Sequence, residues 1–184
     1  MKTLIFCLST FLLFAFCSCG DQQSDSSGEG TQFENLHGQA GVVDEDSKPN
    51  ILQIAIGSPD HTTLVAGVQA AELENVLVNP GPLTVFAPTN AGFDKLPEGA
   101  LDDLLEPENK NQLARIITSH AAPGTFTIAL LTNGSKIYMA TGQYLDVEVV
   151  DGETYVNGSK ILATVDASNG VVHVIDDVFL FAAE

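Results

Sequence analysis

Leu83-Thr84-Val85-Phe86-Ala87-Pro88-Thr89-Asn90-Ala91-Gly92-Phe93 changes structure in the middle. Thr84, Val85 and Phe86 are β-branched or aromatic, the residue types that suit a buried strand. Pro88 has no N–H and stops the ladder. Thr89 or Asn90 then offers a side-chain oxygen to the free amide donors of a following helix. A strand therefore ends and a helix begins at one place. The short helix that follows carries Phe93 and Leu96.

Working outward, the segment before this stretch reads as helical. Ile51, Leu52, Ile54, Ala55 and Ile56 form a short apolar run ended by Gly57-Ser58-Pro59. Thr62 or Thr63 is placed to cap the next helix, whose apolar face is Leu64, Val65, Val68 and Ala71, then Val76 and Leu77. Asn79-Pro80-Gly81-Pro82 stops it. Pro97 and Pro107 punctuate two more helical pieces, the second with Leu113, Ile116 and Ile117 on one face. Beyond Pro123-Gly124 the period becomes two: Leu145, Val147 and Val149 alternate with Tyr144, Asp146, Glu148 and Val150. Asp151-Gly152 and Asn157-Gly158 are hairpin signals, because both central residues of such turns favour positive φ. Ile161 to Val165 is a further strand. Asn169-Gly170 turns the chain into Val171 to Ile175, and Val178 to Phe181 closes the sheet. Helices before residue 120 and antiparallel strands after it predict an α+β domain, mainly β.

Three stretches carry a family resemblance. Thr84 to Asn90 resembles the opening signature of a fasciclin-like domain. Ile116-Ile117-Thr118-Ser119-His120-Ala121-Ala122-Pro123-Gly124 resembles its middle motif, with Ser119 where Tyr commonly precedes the His. Asn169 to Leu180 resembles the closing motif, with Phe181 where a proline is usual. The resemblance covers roughly residues 50–181. It implies a wedge of about seven largely antiparallel strands with several helices packed along it. It further implies a secreted or surface-held protein concerned with adhesion, matrix organisation or symbiosis. Some family members contact receptors near the middle and closing motifs, which would place interaction candidates at His120, Asp176 and Asp177. Some are associated with pigments, which implies the alternative of a carrier for a small hydrophobic ligand such as a pigment or lipid.

The N-terminus reads as a targeting segment. Lys2 precedes an apolar run, Leu4 to Phe16, of about a dozen residues, too short to span a bilayer. Phe16-Cys17-Ser18-Cys19-Gly20 then resembles a bacterial lipoprotein cleavage box. Residues 1–18 are expected to be removed and Cys19 to carry the lipid, with Cys17 the competing site and plain secretion the simpler alternative. Residues 19–48 are rich in Asp, Glu, Gly, Ser and Gln, and read as the lipidated cysteine followed by a disordered acidic tether. As coil it would reach about 30 Å. Only Phe33 and Val42-Val43 hint at local docking. Residues 49–184 are the folded domain, long enough for one core.

Composition narrows the function. All the cysteines lie at or before Cys19, so the domain has no disulfide and no cysteine-ligated zinc. Removal of residues 1–18 leaves six basic residues against 24 acidic ones, a formal charge of −18. Phosphate binding needs clustered Lys and Arg, and the chain after Pro49 has only Lys95, Lys110, Arg115, Lys136 and Lys160, so nucleic acid is not a partner. His37, His61, His120 and His173 lie in no zinc-binding or nucleophile-base pattern, and no G-x-S-x-G elbow is present. Asp102-Asp103 reads as helix-end solvation. Asn133 and Asn157, although in glycosylation patterns, read as turns. No calcium-loop spacing occurs. The sequence thus predicts no enzyme, cofactor or metal. It predicts an extracytoplasmic interaction module of the outer membrane or cell surface. Lipid would hold it to the membrane, and its partner would be a protein or polysaccharide.

Overall fold

The computed structural model describes residues 48–180. The expected signal segment (residues 1–18), Cys17, Cys19, the acidic stretch to residue 47 and Phe181 lie outside the described residues.

Among the described residues there are six short α-helices and seven strands. The helices are α1 (Ile51–Ile56), α2 (Thr62–Ala70), α3 (Glu74–Val78), α4 (Asn90–Phe93), α5 (Ala100–Leu105) and α6 (Lys110–Ser119). The strands are β1 (Leu83–Pro88), β2 (Ala121–Pro123), β3 (Lys136–Tyr138), β4 (Tyr144–Val150), β5 (Glu153–Val156), β6 (Ser159–Ala167) and β7 (Gly170–Ile175). They form one sheet in the order β2-β1-β7-β6-β5-β4-β3. Ala140 N–H, just past β3, donates to Ala121 of β2, so the sheet nearly closes on itself. Every pairing is antiparallel except β1 with β7, which runs parallel from Leu83↔Gly170 to Pro88↔Ile175.

β1 divides the core in two. Its residues from Thr84 to Pro88 are buried. Val85 and Ala87 pack with Val172 against Ile51, Leu52, Leu64, Val68 and Leu77 of the helices. Phe86 belongs to the other cluster, inside the curled sheet, with Ile137, Met139, Leu145, Val147, Val156, Ile175 and Phe179. A strand with apolar cover on both faces reads as a continuous buried run, as this one does. The missing N–H of Pro88 faces the side of β1 on which β2 has already ended, while Thr89 N–H still reaches Ile175 O at 3.1 Å.

The two hairpin signals form as expected. Val150↔Glu153 and Val156↔Ser159 flank two-residue turns, with φ of 53° at Asp151 and 51° at Asn157. Three expectations change. The helix expected to run from Thr62 through Leu77 is broken into α2 and α3, with Glu72 at φ 57° between them. Val178 and Phe179 are buried but form no strand. Neither Thr62 nor Thr63 caps α2 through its side chain. Thr89 caps α4 by accepting from Gly92 N–H, which frees Asn90 for a longer reach. Asn90 Oδ1 accepts from Thr63 N–H at 3.0 Å and from Thr62 Oγ1 at 3.2 Å, and Nδ2 donates to Pro59 O at 3.0 Å. Asn90 thus caps α2 from the far end of β1. Asn90→Ala is expected to cost about 1–2 kcal/mol in urea unfolding, and Thr62→Ala clearly less. Equal losses would place the cap within α2 itself.

Candidate functional site

The middle and closing motifs meet at one end of the wedge. α6 delivers Ile116, Ser119 and His120, and the segment after β7 delivers Asp176 to Leu180. Ser119 Oγ turns back to donate to Ile116 O at 2.6 Å. His120 is the C-cap of α6 and is 3% exposed. Its Nδ1–H donates to Ile116 O at 2.8 Å, and Nε2 accepts from Phe179 N–H at 2.9 Å. The ring is therefore the neutral Nδ1–H tautomer. It stacks on the Phe179 ring at a centroid distance of 4.7 Å. Burial lowers its pKa from 6.5 to about 4.

The other histidines of the domain are buried as well. His173 donates from Nε2 to Phe126 O at 2.7 Å, and its Nδ1 accepts from Thr164 Oγ1 at 2.9 Å. It also stacks on Phe86. Thr84 completes this knot, donating to Gly124 O and accepting from Phe126 N–H, both at 2.8 Å. His61 holds Ser58 Oγ at 2.7 Å through Nδ1. Burial lowers the pKa of both His61 and His173. His173 fastens β7 to the Phe126 loop, His120 ties the end of α6 to Phe179, and none of the three buried rings presents a free base to solvent. Among the described residues no group of three or more His, Cys, Asp or Glu is placed to hold a metal ion.

Asp176 and Asp177 lie just past β7 and are half-buried. Asp176 Oδ1 accepts from Lys160 N–H at 2.8 Å, and Asp177 Oδ1 caps Val178 N–H at 2.8 Å. Lys95 Nζ spans both carboxylates at 3.7 and 3.6 Å. α4 presses on this corner: a Cβ on Gly92 would come within 3.1 Å of Asp176 O. Both acids thus have partners within the fold.

A groove that sequence reasoning did not anticipate opens beside His120. It has a volume of ≈ 540 Å³ and is lined by Asn111, Gln112, Arg115, Ser119, Gln143 and Leu180, with Ile116. Ser119 is buried, while Arg115 and Leu180 are exposed. Among the described residues each lysine has a carboxylate within 4 Å, and Arg115 has none. The groove therefore offers one unpaired guanidinium, several side-chain amides and two apolar side chains. The signal in the sequence was Ser119, a small residue where the resemblance has an aromatic one. By contrast, the closed apolar space between α2, α5 and α6 has only ≈ 20 Å³, room for about one water.

The fasciclin domain profile matches residues 59–181. The chain belongs to the fasciclin family. Protein sll1483 of Synechocystis is 47% identical to this fasciclin-domain chain over 136 residues, which is 73% of this chain and 75% of that protein. Immunogenic protein MPB70 of Mycobacterium bovis is 30% identical over 79% of this chain and 76% of its own length. Pig transforming growth factor-beta-induced protein ig-h3 is 30% identical over 71% of this chain, which spans only 19% of that protein. The fold matches that of a FAS1 domain pair from the insect cell adhesion molecule Fasciclin I, with a TM-score of 0.66 and 18% identity. That match covers 72% of this chain and 51% of the pair.

Proposed function

We propose that this fasciclin domain is an extracytoplasmic interaction module serving adhesion or matrix and biofilm association. Lipid on Cys19 holds it to the envelope, at the outer membrane or cell surface, and residues 20–48 hold it off the bilayer. The contact face is the groove of Arg115, Gln143, Ser119 and Leu180. The observation that carries this reading is the pairing of charges. In a chain with 24 acidic and seven basic residues, Arg115 alone among the described basic residues is left without an acid. A partner with a carboxylate beside an apolar group complements that surface, whether a protein or an acidic polysaccharide. Individual contacts of this size are weak, and many copies on one membrane strengthen them through effective concentration.

Two substitutions test the two halves. Cys19→Ser is expected to move the protein from the membrane fraction to the soluble one; retention on the membrane would contradict anchoring. Arg115→Glu is expected to leave anchoring and folding intact and to lower cell–cell or cell–matrix attachment several-fold. Unchanged attachment would remove the groove from the proposal. The carrier alternative has less support, because the closed apolar space is far smaller than a pigment.

A further inference from the structure

Every tyrosine of the chain lies on one face of the sheet. On β4, Tyr144, Asp146 and Glu148 are exposed, while Leu145 and Val147 between them are buried. Partners directly opposite each other on neighbouring strands share a face. Tyr138 is opposite Tyr144, and Lys136 is opposite Asp146. Tyr155 of β5 is opposite Glu148, and Lys160 of β6 is opposite Tyr155. The chain has three tyrosines and no tryptophan, so the outer face of β3, β4 and β5 carries all of its amphipathic rings.

Two of these rings stand in water. Tyr138 is 49% exposed and Tyr144 61%. Their centroids are 5.2 Å apart and their planes are tilted by 56°. The other ring contacts among the described residues join buried side chains. A ring left in water forgoes the stabilisation that burial would give, and the Tyr138–Tyr144 pair adds nothing to either core cluster.

The charges around the pair select the partner. Lys136 is bonded to Asp146, and Lys160 to Glu153, which also accepts from Tyr155 Oη. Both lysines of this face are thus already neutralised. Among the described residues Glu148 has no lysine or arginine within 4 Å. An acidic polysaccharide or an anionic lipid meets no attraction here. A protein would have to dry these ion pairs in order to cover the rings, and charged residues are depleted at the centre of protein interfaces. A neutral sugar chain requires neither. Its hydroxyls can donate to the carboxylate oxygens of Asp146 and Glu148 that no lysine holds. Its C–H groups, made electron-poor by the neighbouring oxygens, lie against the negative faces of the rings. Tyr144 to Glu148 runs about 13 Å along β4, an open stretch that matches an extended chain better than a single small molecule.

We infer that the Tyr138–Tyr144 pair is a stacking platform for a neutral polysaccharide, with Asp146 and Glu148 accepting from its hydroxyls. None of these residues lines the Arg115 groove, so this is a second contact site.

Native gel electrophoresis of the full chain through hydroxyethyl cellulose, galactomannan or alginate tests this. With no tryptophan present, tyrosine emission gives a second readout that comes from this face alone. At least one of the two neutral polymers is expected to retard the protein equally at low and high salt and to change its tyrosine emission, and alginate to do neither. Tyr138→Ala/Tyr144→Ala is expected to weaken retardation about tenfold or more and to keep the urea midpoint, since both side chains are exposed. Tyr138→Phe/Tyr144→Phe is expected to retain it within about threefold, because the rings make the contact. Arg115→Glu is expected to leave it unchanged, which separates this site from the groove. Retardation by neither neutral polymer, retardation that survives the loss of both rings, or retardation by alginate alone would overturn the inference. A dimer in sedimentation that dissociates in the double alanine variant would also overturn it, because a second copy would then occupy the face.

Discussion

Gly170→Ala is expected to cost the domain a large part of its stability. A Cβ at residue 170 would lie 1.8 Å from Leu83 O, 2.8 Å from Leu83 C and 3.0 Å from Leu83 N. All three are backbone atoms, so no rotamer change relieves the clash. Leu83↔Gly170 is the first pair of the parallel β1–β7 ladder, and β1 supplies Val85, Phe86 and Ala87 to both core clusters. Opening that pair loosens both. The expected loss is about 4 kcal/mol or more, against a total of about 5–15 kcal/mol for a typical domain. Gly81 makes the control, since a Cβ there meets nothing within 4 Å. Gly81→Ala is expected to change stability by less than about 0.5 kcal/mol. Urea unfolding measures both. A Gly170→Ala protein within about 1 kcal/mol of the unmodified domain would mean that the two strands approach less closely.

Mild acid is the second large effect. Burial holds His120 at a pKa of about 4 in the fold, against 6.5 when exposed. The folded value lies below the unfolded one, so protons bind the unfolded chain preferentially between the two. The contribution is complete above about pH 6.5 and is lost as pH falls toward 4, at about 1.4 kcal/mol per unit, or about 3 kcal/mol in all. His61 and His173, also lowered by burial, act in the same direction. The surface carboxylates of Glu72 and Glu153 are lowered by lysine partners, so their contributions fade only at more acid pH. Unfolding midpoints at pH 7.5 and pH 5 are expected to differ strongly. His120→Gln should be less stable at pH 7.5 and show a shallower slope. A midpoint unchanged down to pH 5 would mean that the ring is accessible to solvent in the fold.

Local chemistry carried much of this architecture. The strand stop and helix start between Leu83 and Phe93, and the two type-positive turns at Asp151-Gly152 and Asn157-Gly158, depend on residues a few positions apart. The links that joined distant segments were not legible. Asn90 has the same capping chemistry for α4 as for α2, and only the fold brings Thr63 to it. Asn169 reads as a turn residue, yet its Oδ1 accepts from Ile51 N–H and its Nδ2 donates to Leu77 O. The parallel β1–β7 pairing joins strands some 87 residues apart, and no periodicity within either strand announces its partner. The candidate site divides in the same way. His120, Asp176 and Asp177 were legible as residues that matter, but each is engaged in holding the fold. The groove next to Ser119 is distinguished by Arg115 lacking a carboxylate partner, a property of three-dimensional spacing that a list of seven basic residues does not reveal.

The most direct measurement of the proposed role is photo-crosslinking in living cells from a reactive group placed at Gln143, on the rim of the groove. Expected is one reproducible adduct with a surface protein or an acidic polysaccharide, strongly reduced by Arg115→Glu and formed only when Cys19 is intact. No adduct, or one indifferent to Arg115→Glu, would contradict contact through this groove.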